Sequence, residues 1–147
     1  MAEAPVLFRF PLLSLLLLNA AHDERPPPTA PVTVVVTQVR SSEGQVRVEI
    51  CTEREFLKPC RYDVTVPARA GTTIAVVPGV PAGRYAALAY HDRNANGKAD
   101  RNLIGLPTED VGFSNGALKG LVKPKFSDAA FDHGPAAQRI TFALRKF

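Results

Sequence analysis

The sequence predicts an all-β protein, an antiparallel Greek-key β-sandwich of about seven strands with one long ordered loop. Three observations predict it. Apolar and polar residues alternate with a period of two in several short runs, turns rich in Gly and Pro separate those runs, and no stretch of useful length repeats apolar residues at three-and-four spacing. A single sheet made of such runs would leave one apolar face in water, so two sheets must pack face to face.

The amino terminus stands apart from this pattern. Arg9 precedes the apolar stretch Phe10 to Leu18, which is followed by the small residues Ala20 and Ala21. That order is that of a secretory signal peptide spanning residues 1–21, so the expected location is periplasmic or secreted. The stretch is far shorter than the roughly 20 residues a membrane-crossing helix needs, and no transmembrane segment is expected. Residues 22–31, HDERPPPTAP, combine four prolines with three charges and read as an extended Pro-rich linker. The sandwich domain is expected over 32–147.

From Val32 the chain is rich in β-formers: VTVVVTQVR, a turn at Ser41, Ser42, Glu43 and Gly44, then QVRVEIC. Val46, Val48 and Ile50 alternate with Gln45, Arg47 and Glu49, which places one face on a core. Two such runs joined through four turn residues predict a hairpin. Tyr62, Val64 and Val66 alternate likewise, Thr72 to Val77 follows, PGVPAG at 78–83 reads as a turn, and Arg84 to Tyr90 as the next strand. Near the end Ile140, Phe142 and Leu144 alternate with Arg139, Thr141 and Arg145. Between Tyr90 and Gln138 the alternation stops. A segment so far beyond about 12 to 15 residues must be functional or stapled down, and its apolar residues, Leu103, Ile104, Leu106, Val111, Phe113, Leu118, Phe126 and Phe131, argue for order.

The formal charge of +4 is spread along the chain: residues 22–90 carry 8 basic and 7 acidic groups, and 91–138 carry 6 of each. A nucleic-acid binder concentrates Lys and Arg on one face, so no nucleic-acid partner is expected.

The strongest chemical motif is HDRNANGKAD at 91–100. Asp92, Asn94, Asn96 and Asp100 offer side-chain oxygens at alternate positions, and Gly97 stands where the chain must turn sharply around a cation. The spacing D-x-N-x-N-G matches the first half of a Ca2+ loop, in which the seventh residue, here Lys98, supplies only its carbonyl. The twelfth position holds Leu103 in place of the bidentate Glu, and no flanking helices are predicted, so this is not an EF-hand. Glu109 or Asp110 can fold back to complete the shell. Oxygen donors suit calcium and disfavour zinc or copper. The alternative is a plain turn held by Asx hydrogen bonds.

Cys51 and Cys60, the two cysteines of an exported chain, read as one disulfide closing the polar loop TEREFLKP. Gly112 to Gly116 satisfies G-x-S-x-G, the nucleophile-elbow pattern, with His133 later in the chain. That elbow works on a strand-to-helix turn of an α/β sheet, so here the residues are expected to form only a turn. The histidines, His22, His91 and His133, have no metal-triad spacing.

Over YHDRNANGKADRNLIGLPTEDVGFSNGA, PKFSDAAF at 124–131 and the segment Pro81 to Tyr85, the chain resembles the bacterial domain-of-unknown-function family numbered 2141. The resemblance runs from Val32 to Phe147. It implies an exported protein with a sandwich similar to transthyretin-like and carboxypeptidase-regulatory domains, alongside the immunoglobulin-like or transthyretin-like class that the strand pattern predicts, and it brings no established activity.

These readings predict a non-enzymatic exported module that binds a protein or envelope ligand and carries Ca2+ at Asp92, Asn94, Asn96, Lys98, Asp100 and Glu109. The rivals are a small periplasmic hydrolase using His91, Asp92, Glu109 or His133, and a purely structural envelope protein.

Overall fold

A computed structural model describes residues 2–5 and 25–146. The signal-peptide expectation and His22 therefore fall largely outside the described residues. Among those described, no helix is long and apolar enough to cross a membrane.

Among the described residues eight strands form two sheets: β1 (Thr29–Val39), β2 (Gln45–Cys51), β3 (Tyr62–Pro67), β4 (Gly71–Pro81), β5 (Gly83–Asp92), β6 (Val111–Phe113), β7 (Ala130–His133) and β8 (Gln138–Ala143). One sheet has the order β4-β1-β8, the other β3-β2-β5-β6, with β7 also on β5. Because β7 pairs with Gly83 to Ala86 and β6 with Leu88 to Tyr90, the two short strands lie end to end along β5. Among the described residues the only α-helix is a single turn, α1 (Phe126–Ala129).

The sandwich and its low helix content are as expected, and four local expectations are corrected. β1 and β2 do not form a hairpin: β1 pairs with β4 and β8, and β2 with β3 and β5, so Arg40 to Gly44 carry the chain from one sheet to the other. Both strands are valine-rich because they face the same core from opposite sides. The β1–β8 pair is parallel, in an otherwise antiparallel architecture. PGVPAG is not a turn, because β4 runs on to Pro81 with a register shift opposite Pro31. β4 is an edge strand, where prolines lacking an N–H are tolerated. β1 starts at Thr29, inside the expected linker.

The core between the sheets holds Val32, Val34 and Val36 of β1, Val46, Val48 and Ile50 of β2, Ala75 and Val77 of β4, and Phe142 of β8. In β5, Ala87 and Ala89 stand opposite Ile50 and Val48, so large residues on one strand meet small ones on the next. Each buried Val or Ile contributes on the order of 1.5–3 kcal/mol.

The long segment is ordered by a second core. Ala86 and Tyr90, on the opposite face of β5, join Val111, Phe113, Ala117, Leu118 and Ala129 in a buried cluster. Phe56 closes it edge-on against Phe113 and Phe126, at 5.9 and 5.8 Å between ring centres. Phe56 lies in the loop closed by the Cys51–Cys60 disulfide, so the expected bridge is present and holds that ring in place. Leu103 and Ile104, expected to be covered, are exposed.

Candidate functional site

β5 ends at Asp92, and the acidic loop starts there. Asp92 is 0% exposed, opposite Gln45 in the β2–β5 register, and Gln45 Nε2 donates to Asp92 Oδ2 at 2.9 Å. The loop then folds back on the same carboxylate: the Asn96 N–H donates to Oδ1 at 3.1 Å and the Gly97 N–H to Oδ2 at 2.8 Å. Ala95 and Gly97 adopt positive φ, 53° and 76°, and at position 97 glycine makes the left-handed turn without a Cβ penalty. Two Asx turns continue the wrap, with Asn94 Oδ1 accepting from Asn96 N and Asn96 Oδ1 from Lys98 N.

Asp100 closes the ring. Its carboxylate accepts from Asn94 Nδ2 at 2.8 Å and Asn96 Nδ2 at 2.9 Å. Glu109 folds back onto the loop, its oxygens accepting the Arg93 and Asp100 N–H groups at 3.2 Å each. Asp110 does not join, being paired with Arg40 at 2.9 Å. The structure thus brings Asp92, Asn94, Asn96, Lys98, Asp100 and Glu109 into one turn. A cavity of about 330 Å³ opens beside them, lined by Asn94, Asp100, Glu109 and Arg93.

The electrostatics of the two buried carboxyls differ. Burial pushes Asp92 up, but the bonds from Gln45 and from the N–H groups of Gly97, Asn96 and Ala95 outweigh it and hold the group below the ordinary carboxylate value. Burial pushes Glu109 up, and the nearby Asp92 and Asp100 charges add to that against the two N–H donors, so its net shift is upward. None of the ion pairs among the described residues involves Asp92, Asp100 or Glu109.

All candidate donors are oxygens, which fits a hard cation such as calcium. Carboxylates have about four acceptor sites each, and Glu109 uses two. Asn94 and Asn96 turn their amide nitrogens toward Asp100, where a cation would take the place of those donors.

Of the groups of the hydrolase alternative, Asp92 and Glu109 meet in the acidic turn beside His91, while His133 lies at the other end of β5. Ser114 is buried, accepts the Ala87 N–H at 2.9 Å and donates to the Ala129 carbonyl, fixing the second core to β5. The G-x-S-x-G segment is β6 followed by a 3-10 turn, Ser114–Gly116. His133 is buried on Gln138 Oε1 and the carbonyls of Ala30 and Val80. It pairs with Gly83, eight strand positions and roughly 25 Å from His91. His91 is buried with one ring nitrogen 2.8 Å from the Glu43 carbonyl and Nδ1 unpartnered among the described residues. Side-chain atoms of Glu49, Cys51 and Cys60 lie within 4.8 Å of one another, but both sulfurs are in the disulfide.

Sequence reasoning missed Gln45, the clamp on Asp92, and Tyr90, whose hydroxyl donates to the Gly97 carbonyl at 3.3 Å. Strand pairing reveals the first; no sequence spacing signals it. The fold and site define an all-β sandwich that carries a carboxylate-lined turn at one strand end. The chain belongs to the family described as an uncharacterized protein conserved in bacteria (DUF2141), whose model matches residues 34–141. No curated protein and no solved structure matches the chain.

Proposed function

We propose that this protein is a non-enzymatic, exported binding or accessory module whose 91–100 loop binds Ca2+. The observation that carries the proposal is the gathering of Asp92, Asp100 and Glu109 in one turn, with no cationic side chain among the described residues paired to them. Repulsion among three carboxylates is relieved by a divalent cation, and the neighbouring Asn94 and Asn96 amides and Lys98 carbonyl are neutral oxygen donors. Export is supported by the Cys51–Cys60 disulfide, since such bonds persist in oxidising compartments. The non-enzymatic reading is supported by the engagement of Ser114 and His133 in structural hydrogen bonds.

Calcium titration of the metal-stripped protein by calorimetry tests the reading. One ion per chain should bind with a Kd on the order of 10⁻⁴ to 10⁻³ M, the range of extracellular modules. Absence of saturable binding at about ten times that range would overturn it. The mass of the exported protein tests the location: a chain starting near His22 is expected, and one that keeps Met1 would overturn export by cleavage.

A further inference from the structure

A cleft of about 680 Å³ lies over the face of β5 and β6 that points away from the sandwich core. Its floor is apolar, formed by Leu88, Tyr90, Val111 and Phe113, and its lip carries Leu121 and Val122, 67% and 72% exposed. Its rim is cationic. Lys58, Lys98, Arg101 and Lys123 line it, and among the described residues none of these four is in an ion pair. The lone carboxylate of the lining, Glu49, is already neutralised by Arg47 at 2.8 Å. The volume falls within the roughly 300–1,000 Å³ of small-molecule sites.

We infer that this cleft binds a long-chain carboxylate, with the aliphatic chain on the floor and the anionic head among the rim cations. Charge complementarity selects the sign of the head: four cations with no ion-pair partner among the described residues surround the opening, although Lys58 and Arg101 also donate to the carbonyls of Arg54 and Gly105. The floor selects the body. It is the face of a sheet: β5 is paired on both sides and the edge strand β6 is bridged at Val111 to Arg145, so little free edge is offered to an extended peptide. Its one phenol, Tyr90, already donates to Gly97, which leaves little to recognise the hydroxyls of a sugar. An unbranched apolar chain needs neither. The inference does not rest on the calcium reading, although the loop from Gly97 to Arg101 is one wall of the cleft.

The test is calorimetric titration of the full chain with dodecanoate below its micellar concentration, in chelator so that no calcium soap forms. Dodecyltrimethylammonium and dodecyl maltoside serve as cationic and neutral heads on the same chain. Saturable one-to-one binding of dodecanoate is expected, at least about tenfold tighter than either comparison amphiphile. The Lys58→Gln, Lys123→Gln double variant, which alters exposed side chains outside the acidic loop, should lose about tenfold for dodecanoate and nothing for the maltoside. No saturable binding, equal affinity for the three heads, or an unchanged double variant would each overturn the inference. Because chelator is present throughout, none of these outcomes bears on calcium binding.

Discussion

Gln45 and Asp92 face each other across β2 and β5, and the Gln45 amide donates to the buried Asp92 carboxylate at 2.9 Å. This bond ties the start of the acidic loop to the sheet, so the loop inherits the rigidity of the sandwich. Gln45→Leu would leave one lone pair of a fully buried carboxylate without its donor. The expected cost is about 1–3 kcal/mol, read as a lower urea midpoint at an unchanged m value. Gln45→Glu should cost more, because it sets a second carboxylate against Asp92. A midpoint equal to that of wild type for both variants would show that the clamp contributes nothing.

Gly44 and Gly79 share a φ of 66°, but their surroundings differ. A Cβ on Gly44 would sit 2.2 Å from the Asp92 carbonyl oxygen and 2.5 Å from that of Arg93, while one on Gly79 meets nothing within 4 Å. Gly79→Ala should therefore show only the left-handed backbone penalty, about 1–2 kcal/mol. Gly44→Ala adds a backbone clash and must push the acidic loop away from β2. Thermal unfolding of the two variants should separate them clearly, and equal melting temperatures would rule out the close approach.

Removing the disulfide tests how the second core is held. By chain entropy a loop of this size is worth about 2.5 kcal/mol, and it also positions Phe56 between Phe113 and Phe126. The Cys51→Ala, Cys60→Ala double variant should lose about that much stability in urea. It should also exchange amide protons faster at Phe113 and Leu118 than at Val34 or Val48, which lie in the inner core. Uniform change at all four positions would show that the bridge does not act on the outer cluster.

What could be read from the sequence follows from what period-two alternation encodes. Val46, Val48 and Ile50 showed that β2 has one buried face, and the same logic placed Ile140, Phe142 and Leu144. Alternation does not say which strand is the neighbour. Thus β1 and β2, adjacent in sequence, were expected as a hairpin and lie in different sheets. The segment RYAALAY of β5 has no alternation because both faces are covered, and that absence was the available sign of a second core. The acidic turn was legible because its contacts are local, within residues 92–100, whereas Gln45 and Glu109 join it through the register of distant strands.

Glu55 gives the fold one acid-sensitive contact. Its carboxylate accepts from Thr52 N at 3.1 Å, Thr52 Oγ1 at 2.9 Å and Arg61 Nε at 3.1 Å. Burial opposes ionisation, but the Thr52 and Arg61 contacts outweigh it and hold the group below its ordinary value. A carboxyl lowered on folding contributes stability that is fully present above its unfolded pKa and is lost as pH falls through the folded one. Wild type should therefore exceed Glu55→Gln in stability at pH 7, and the gap should narrow below about pH 4. A gap that stays constant between pH 7 and the acid limit of folding would contradict the assignment.

Calcium should stabilise the protein through Asp100 and Glu109 in a way that separates ion binding from loop folding. Asp92 is a poor position for that test, because its buried carboxylate holds the loop through Gln45, Asn96 and Gly97 with or without an ion. Asp100 is less buried, and most of its partners are the side-chain amides of Asn94 and Asn96, which can turn to water. Glu109→Gln keeps the shape and removes one charge from the group of three. In chelator, Asp100→Ala should cost little and Glu109→Gln should be neutral or mildly stabilising, since the ionised carboxyl is disfavoured there by burial and by Asp92 and Asp100. With calcium at about 100 times its Kd, wild type should gain roughly 2.7 kcal/mol by mass action, and both variants should lose most of that increment. Differential scanning calorimetry with and without calcium reads both effects. If the three proteins gain equally, or wild type gains nothing, the acidic turn is held by its own hydrogen bonds and does not bind the ion.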